Sequence, residues 1–459
     1  MSVPPGRPAS PARRAALDAS LRARNPRTPG LDILVEESCV RAGAAHADAA
    51  LAREIAYGVA RHRLWLEHLL AQRVERPLAE FAPGVHETLL AGIFQHVFLD
   101  RIPAHALVDE SVRLAVAQKG GERLRGLVNA VMRRITEQAP EDLRPHHDAA
   151  WRLRCSVPDL VAAEVVAAIG EERAEAFFAA AQETAPLCLR LRGDLDAVRA
   201  EILAELPQAS GEVPSFAEGR LTPECFSIRQ RGFSPDQLTA FREGRCTVED
   251  EGAQAACLLA LGNERPARVL DLCAAPGGKT AHLADILPGA ALTACDVSER
   301  KLARLRQTLE RLGLAGRTNV SLSEPILGTE QNGGFGFVLV DAPCSGLGTL
   351  RRHPEIRHRR SEEDFENLAR CQYDLLHRAA RLVDPGGVLA YTVCTVGRRE
   401  CEAVVDRFLV LHPEFASAPE TGAMPFDAGA VAAGPGCWRL LTNEWGCDGF
   451  FVARFRRIE

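Results

Sequence analysis

The 459-residue chain contains no apolar run near the ~18 residues that a membrane-spanning helix needs, so a membrane class is set aside. Its cysteines form no C-x-x-C pair, which removes the usual zinc spacings and leads us to expect no metal. Fourteen single cysteines without small-domain spacing fit a reducing cytoplasm better than a disulfide scaffold. The first 30 residues hold six arginines and one acid but no apolar stretch of the secretory kind. Their early prolines suit an amphipathic transit helix poorly, so residues 1–9 read as a loose tail and Ser10-Pro11 as a helix cap and first residue. An overall positive charge is also lacking. The formal net charge is −6, so any nucleic-acid partner has to be argued from local charge. What is present is ordinary for a soluble globular protein: 46% hydrophobic and 25% charged residues, in a length that suggests roughly three domains at about 150 residues each.

Two common nucleotide loops are missing as well. The stretch Asp271-Leu-Cys-Ala-Ala-Pro-Gly-Gly-Lys-Thr280 has Cys273 where a P-loop needs its first glycine, and Ala274, Ala275 and Pro276 interrupt any G-x-G-x-x-G pattern. What remains is a proline-stiffened glycine turn that opens with an acid. It follows the apolar pair Val269-Leu270 and precedes a helix-like stretch from Ala281. A strand, a turn and a helix start put backbone amides where a ligand can meet them. Two further strands follow. Phe335 to Asp341 runs into Ala342-Pro-Cys-Ser-Gly346, and Gly387 to Cys394 ends in a cysteine. In a parallel sheet ligands bind at the carboxyl ends of strands, so Asp271, Asp341, Cys344 and Cys394 converge on one rim. Another strand, Ala291 to Cys295, ends at Asp296, 25 positions past Asp271, where such folds place a ribose-gripping carboxylate. A free cysteine is most often a small buried hydrophobe, and Cys257 and Cys295, in apolar runs, are expected in the core. Cys344 and Cys394 differ by their place at strand ends.

These stretches, together with the ending Gly446-Cys-Asp-Gly-Phe-Phe-Val-Ala-Arg454, resemble the motifs of S-adenosylmethionine-dependent RNA 5-methylcytosine methyltransferases. Carbon 5 of cytosine is a weak nucleophile. A thiolate that adds to carbon 6 turns the ring into an enamine, and an acid near ring nitrogen 3 stabilises the charge that develops. The resemblance implies that Cys394 is the nucleophile, that Cys344 assists product release and that Asp341 lies between cofactor and base. It further implies S-adenosylmethionine at Cys273, Ala274, Ala275, Pro276, Gly277, Gly278 and Lys279, with Asp296, Glu324 and Asp341. There are departures. Thr392-Val-Cys-Thr395 stands where the family usually reads Ser-Thr-Cys-Ser, Glu324 where it has Asp, and Glu249-Asp-Glu251 where it has Gln-Asp-Glu.

Ahead of this core, Leu51, Ile55, Val59, Leu66 and Leu70 keep helical spacing, as do Leu89, Ile93 and Val97. Tyr57-Gly-Val-Ala-Arg61, Ile93-Phe-Gln95, Ile102-Pro-Ala-His105 and Val128-Asn-Ala-Val-Met-Arg133 resemble NusB-like domains, which bind RNA or protein partners. With that front the chain is similar to the RsmB (Sun/Fmu) family, which methylates a cytosine in 16S ribosomal RNA. The expected layout is a helical RNA-binding domain over 10–140, a small α+β RNA-binding subdomain over 150–232 and a Rossmann-like core, doubly wound on a mostly parallel sheet, over 233–459. Ser361-Glu-Glu-Asp364 reads as a capping box. Residues 351–360 hold five arginines and one glutamate, and Arg351, Arg352 and Arg357 are expected to position RNA phosphates. Two other readings stand beside an active ribosomal RNA enzyme: a transfer RNA cytosine methyltransferase, and a NusB-like regulator with a silent core.

Overall fold

In the computed structural model, which describes residues 8–100, 102–118, 121–206, 215–229, 233–323 and 334–458, the apolar spacing of the front of the chain becomes helix. The main helices are Pro11–Ala23, Leu31–Ala42, His46–Ala71, Pro83–Phe98, Ala104–Val116 and Arg125–Thr136. Leu34, Ile55, Leu66, Leu89, Ile93 and Val97 are buried and join Leu107 and Met132 in one core. At about 1.5–3 kcal/mol for each fully buried aliphatic side chain, this shared face holds the bundle more than helix propensity does. Ser10 and Pro11 take the expected N-cap and first positions, but the Ser10 hydroxyl accepts from Arg13 Nη1 at 3.1 Å and caps no amide.

The chain divides into two compact units. The helical one takes in the described residues up to 163, then 171–182, and also 352–360 from the far end of the sequence. This last segment is most of the arginine run, and it is an internal part of the unit. Arg357 is fully buried and donates to the Cys155 carbonyl at 2.8 Å. Burial and the neighbouring Arg61 push its pKa down to about 9. His358 Nε2 lies 3.1 Å from the Ala60 carbonyl. Arg359 donates to the carbonyls of Ala23 and Pro29 at 2.9 and 3.1 Å and to Thr28 Oγ1 at 2.6 Å.

The second unit carries two sheets. The smaller has the strands β1 (Leu187–Leu191), β2 (Ser215–Glu218), β3 (Cys225–Arg229) and β4 (Cys246–Val248), antiparallel in the order β2-β3-β1-β4. Helix Leu195–Glu205, capped by Asp194, packs on it through Val198 and Ile202. The boundaries expected for this subdomain are corrected at both ends. Much of 150–182 belongs to the helical unit, and β4, with Leu238 and Ala240 of the same core, extends the subdomain past 232. Edge pairing between β1 and β4 is a contact between distant residues, so local composition did not mark it.

The larger sheet has β5 (Arg268–Asp271), β6 (Ala291–Asp296), β7 (Thr318–Leu322), β8 (Phe335–Asp341), β9 (Val383–Val393), β10 (Phe415–Ser417), β11 (Ala432–Gly434), β12 (Cys437–Leu440) and β13 (Phe450–Arg457). Its order is β11-β12-β13-β9-β8-β5-β6-β7, with β10 also on β13. Strands β5 to β9 are parallel, and β10 to β13 add an antiparallel flank. The double winding shows in the alternation of buried residues. Val269, Phe337, Leu339, Val388 and Ala390 share one core with helices Glu251–Leu261, Gly278–Ile286 and Glu299–Arg311. Leu270, Val338, Val340, Leu389 and Tyr391 share the other with helices Glu362–Ala380 and Glu402–Leu411. From β5 the chain winds outward to β6 and β7, then returns to β8 beside β5. That reversal opens a crevice at the carboxyl ends of β5 and β8. Glu324 lies outside the described residues.

Candidate active site

The glycine turn begins at the end of β5. Asp271 is fully buried, accepts from Thr280 Oγ1 at 2.6 Å through Oδ2 and leaves Oδ1 without a partner. Burial, opposed by that hydrogen bond, pushes its pKa up to about 7. Gly277 adopts φ +112°, and a Cβ there would lie 2.6 Å from Leu305 Cδ1, so the turn accepts glycine alone. The Ala274 amide donates to the Cys295 carbonyl at 2.8 Å, which ties the turn to β6. Asp296 ends β6, is 2% exposed, accepts from the Ser298 amide at 3.3 Å and lies 3.5 Å from Lys301.

The ends of β8 and β9 bring the two cysteines together. Cys344 Sγ and Cys394 Sγ are 3.3 Å apart. Asp341 accepts from Lys279 Nζ at 2.8 Å and from Thr392 Oγ1 at 2.7 Å. Lys279 is mostly buried. Burial alone would lower its pKa, but Asp341, Cys394 and Glu249 outweigh it and hold the ammonium charged. The hydrogen bond from Cys344 lowers the Cys394 pKa, with Lys279 acting in the same direction against burial and Asp341. The same bond, with burial, holds the proton on Cys344. Both shifts run the same way and favour a thiolate on Cys394 over one on Cys344.

The loop that carries Cys344 is fixed by groups that no motif had marked. Glu400 accepts from the Ser345 amide at 2.8 Å and from Gln372 Nε2 at 2.9 Å. Gln372 also donates to the Pro343 carbonyl at 2.9 Å, and the Tyr391 hydroxyl donates to Gln372 Oε1 at 3.0 Å. The Gly348 amide donates to the Cys394 carbonyl at 3.0 Å, and a Cβ on Gly348 would lie 1.9 Å from the Gly449 carbonyl oxygen. Val393, where a hydroxyl is usual, is buried in the core, while Thr392 and Thr395 on either side of the Val393-Cys394 pair bond Asp341 and Ser345.

The profile of the family described as 16S rRNA methyltransferase RsmB/F matches residues 256–456, and that of the NusB family matches residues 10–137. The ribosomal RNA small subunit methyltransferase B of Sodalis glossinidius is 34% identical over 415 residues, 89% of this chain and 89% of that protein. The chain belongs to the RsmB/F family. The probable ribosomal RNA small subunit methyltransferase B of Bacillus subtilis is 28% identical over 411 residues, 89% of this chain and 90% of that protein. The crystal structure of PH0851 superposes with a TM-score of 0.77 at 22% identity, covering 99% of both chains, and so has the same fold. Over this RsmB/F-family core the structure corrects one expectation. Arg351 is buried, donates to the Gly446 carbonyl at 2.7 Å and lies 3.7 Å from Asp448. Arg357 is buried in the helical unit. Neither offers its guanidinium to a phosphate, because backbone carbonyls already hold both. Arg352 is half-buried. Arg398, exposed at the start of the 3-10 turn Arg398–Glu400 four residues past Cys394, was not singled out in the sequence, because nothing in its neighbourhood there marks it.

Proposed function

We propose that this chain transfers a methyl group from S-adenosylmethionine to carbon 5 of a cytosine in 16S ribosomal RNA, through a covalent bond between that cytosine and Cys394. The observation that carries this is the sulfur pair, 3.3 Å apart beside the Lys279–Asp341 pair at the crevice. The Cys394 thiolate adds to carbon 6, and the ring π electrons move toward carbon 5 and nitrogen 3. The Lys279 ammonium, held in place by Asp341, offsets the negative charge that develops at nitrogen 3. S-adenosylmethionine, when bound, supplies an electrophilic methyl. Afterwards a base removes the carbon 5 proton, the sulfur–carbon 6 bond breaks and the thiolate returns to Cys394. Cys344, the nearest thiol, assists that release. The cofactor fits the turn. The turn opens the helix Gly278–Ile286, whose first amides point at its mouth, Asp271 at the turn keeps an oxygen without a partner, and Asp296, at the end of the adjacent strand β6, is assigned to the ribose diol.

The relatives are small-subunit ribosomal RNA methyltransferases by name, which favours small-subunit ribosomal RNA over transfer RNA. A thiol pair with opposed pKa shifts has no use in a silent core, which disfavours the regulator reading. A cytoplasmic location goes with the ribosomal RNA substrate. Among the described residues no helix is long and apolar enough to cross a membrane. Bisulfite sequencing of total RNA from a deletion strain tests the proposal. One 16S cytosine loses its protection. Loss confined to transfer RNA, or no loss at all, overturns it.

Asp296→Ala should weaken S-adenosylhomocysteine binding about 5- to 150-fold, because a buried ribose contact is worth about 1–3 kcal/mol. Unchanged affinity by calorimetry would remove Asp296 from the ribose site. Phosphate contact is proposed for Arg352 and, in place of Arg351 and Arg357, for Arg398. Arg398→Ala should weaken RNA binding at every sequence and flatten the log–log salt dependence by about one contact, leaving cofactor affinity alone. An unaltered salt slope sinks that role.

A further inference from the structure

The sulfur pair has a second reaction open to it, one that needs neither RNA nor cofactor. The two Sγ atoms are 3.3 Å apart. Hydrogen bonds on both sides of the pair keep them there. The Ala342 amide donates to the Thr392 carbonyl and the Gly348 amide to the Cys394 carbonyl, each at 3.0 Å. The Ser345 and Thr395 hydroxyls, each one residue past a cysteine and both fully buried, are 2.8 Å apart. The approach of the two sulfurs is therefore set by the backbone and does not hang on one side-chain torsion. From 3.3 Å, a disulfide bond of about 2.05 Å asks for a combined sulfur movement of about 1.2 Å. Among the fourteen cysteines, Cys273, Cys344, Cys371 and Cys394 are not buried. Burial and nearby acids raise the thiol pKa of Cys273 and Cys371, and the bond to Cys394 raises that of Cys344. Of these four only Cys394 is lowered. The thiolate is the form that oxidants attack, so Cys394 reacts first.

We propose that Cys344 and Cys394 form a site of reversible oxidation by peroxides, in which Cys394 is oxidised first and Cys344 is the resolving thiol that closes a disulfide. The Cys394 thiolate attacks one oxygen of hydrogen peroxide. A sulfur–oxygen bond forms, the oxygen–oxygen bond breaks, and the departing hydroxide takes a proton from solvent. Two electrons pass from sulfur to peroxide and leave a sulfenic acid. The Cys344 sulfur then attacks the Cys394 sulfur. The sulfur–sulfur bond forms, the sulfur–oxygen bond breaks, and the hydroxide leaves as water with the Cys344 proton. Two thiols and one peroxide thus give one disulfide and two waters. The disulfide leaves no thiolate to add to carbon 6, so oxidation switches methyl transfer off until a dithiol reduces the bond. That consequence rests on the function proposed above, and the oxidation itself does not.

The test uses the unaltered full chain. It is treated with a modest excess of hydrogen peroxide, blocked with iodoacetamide, cut with trypsin without reductant and read by mass spectrometry. The two cysteines fall on tryptic peptides 318–351 and 382–398, neither of which holds another cysteine. The expected product is these two peptides joined, lighter than their sum by two hydrogens. Methyl transfer falls in proportion to the joined fraction, and dithiothreitol restores both the thiols and the activity. Cys344→Ser removes the resolving thiol, so Cys394 goes on to a sulfinic acid that dithiothreitol does not reverse. Oxidation of that variant that stays as reversible as in the parent takes the resolving role from Cys344. A parent protein whose Cys394 resists peroxide, ends as sulfinic acid without a joined peptide, or joins another cysteine overturns the proposal. So does a joined peptide that forms only after unfolding in urea. If the reduced protein transfers no methyl group, the functional reading falls while the joined peptide stands. If it transfers methyl groups and no joined peptide forms, the oxidation site falls alone.

Discussion

Cys394→Ala abolishes methyl transfer, with a loss of about 10⁴-fold or more, the scale seen when an enzyme loses its nucleophile. No covalent RNA adduct forms with this variant. Cys344→Ala behaves differently. Attack by Cys394 goes ahead, but release stalls, so a protein–RNA adduct accumulates and survives a denaturing gel. The different outcomes follow from the pair, in which the Cys394 pKa is lowered and the Cys344 pKa raised by the hydrogen bond between them. Attack and elimination are separate steps and draw on separate groups. Incubation of each variant with 16S RNA and S-adenosylmethionine, then denaturing electrophoresis, reads the result. An adduct with Cys394→Ala and none with Cys344→Ala reverses the two roles.

Arg190→Met destabilises the second unit by roughly 3–5 kcal/mol, the usual cost of removing one partner from a buried charge pair. Arg190 is 2% exposed and joins three parts of that unit. It lies on β1, donates to Glu249 just past β4 and donates to Asp285 Oδ2 at 2.9 Å on the helix that starts at the glycine turn. Without it Glu249 is left buried and charged with neither oxygen bonded. Asp285 keeps Arg192, which contacts both of its oxygens at 2.7 and 2.8 Å, so the damage centres on Glu249. The double variant Arg190→Met, Glu249→Gln should recover a large part of the loss, since the stranded charge is gone. Urea unfolding, with hydrogen exchange along β1 and helix Gly278–Ile286, measures both. A single variant as stable as the parent, or a double variant no better than the single, removes the ion pair from the account.

How far these features were legible depended on the range of the interaction behind them. Phe337, Val338, Leu339 and Val340 form a continuous apolar run between neighbours that reads from the chain as a buried strand, and the strand's period of two sends them alternately to the two cores. The Asp364 capping box at Ser361 and the Asp194 cap are equally local, spanning three residues each. The glycine turn is local too, because the positive φ at Gly277 is a backbone requirement that glycine meets by itself. Placing Asp271, Asp341, Cys344 and Cys394 at strand ends needed only the parallel-sheet rule.

The arginine run shows the opposite case. Five arginines close in sequence read as a solvated or RNA-facing stretch, yet Arg351 meets Gly446 and Arg357 meets Cys155, 95 and 202 positions away. Whether a cation is free depends on carbonyls and acids that only folding brings near. The bare oxygen of Glu249, the Gln372–Glu400 brace under Cys344 and the β4 edge of the small sheet belong to the same class. Sequence by itself determined the central strands β5, β6, β8 and β9, the turn and which residue types reach the crevice, because sterics and side-chain period act between near neighbours. Only the tertiary structure decided which buried charges are paired, where the subdomain ends and which of the two thiols has its pKa lowered. Those are set by desolvation and Coulomb terms between residues far apart in the chain.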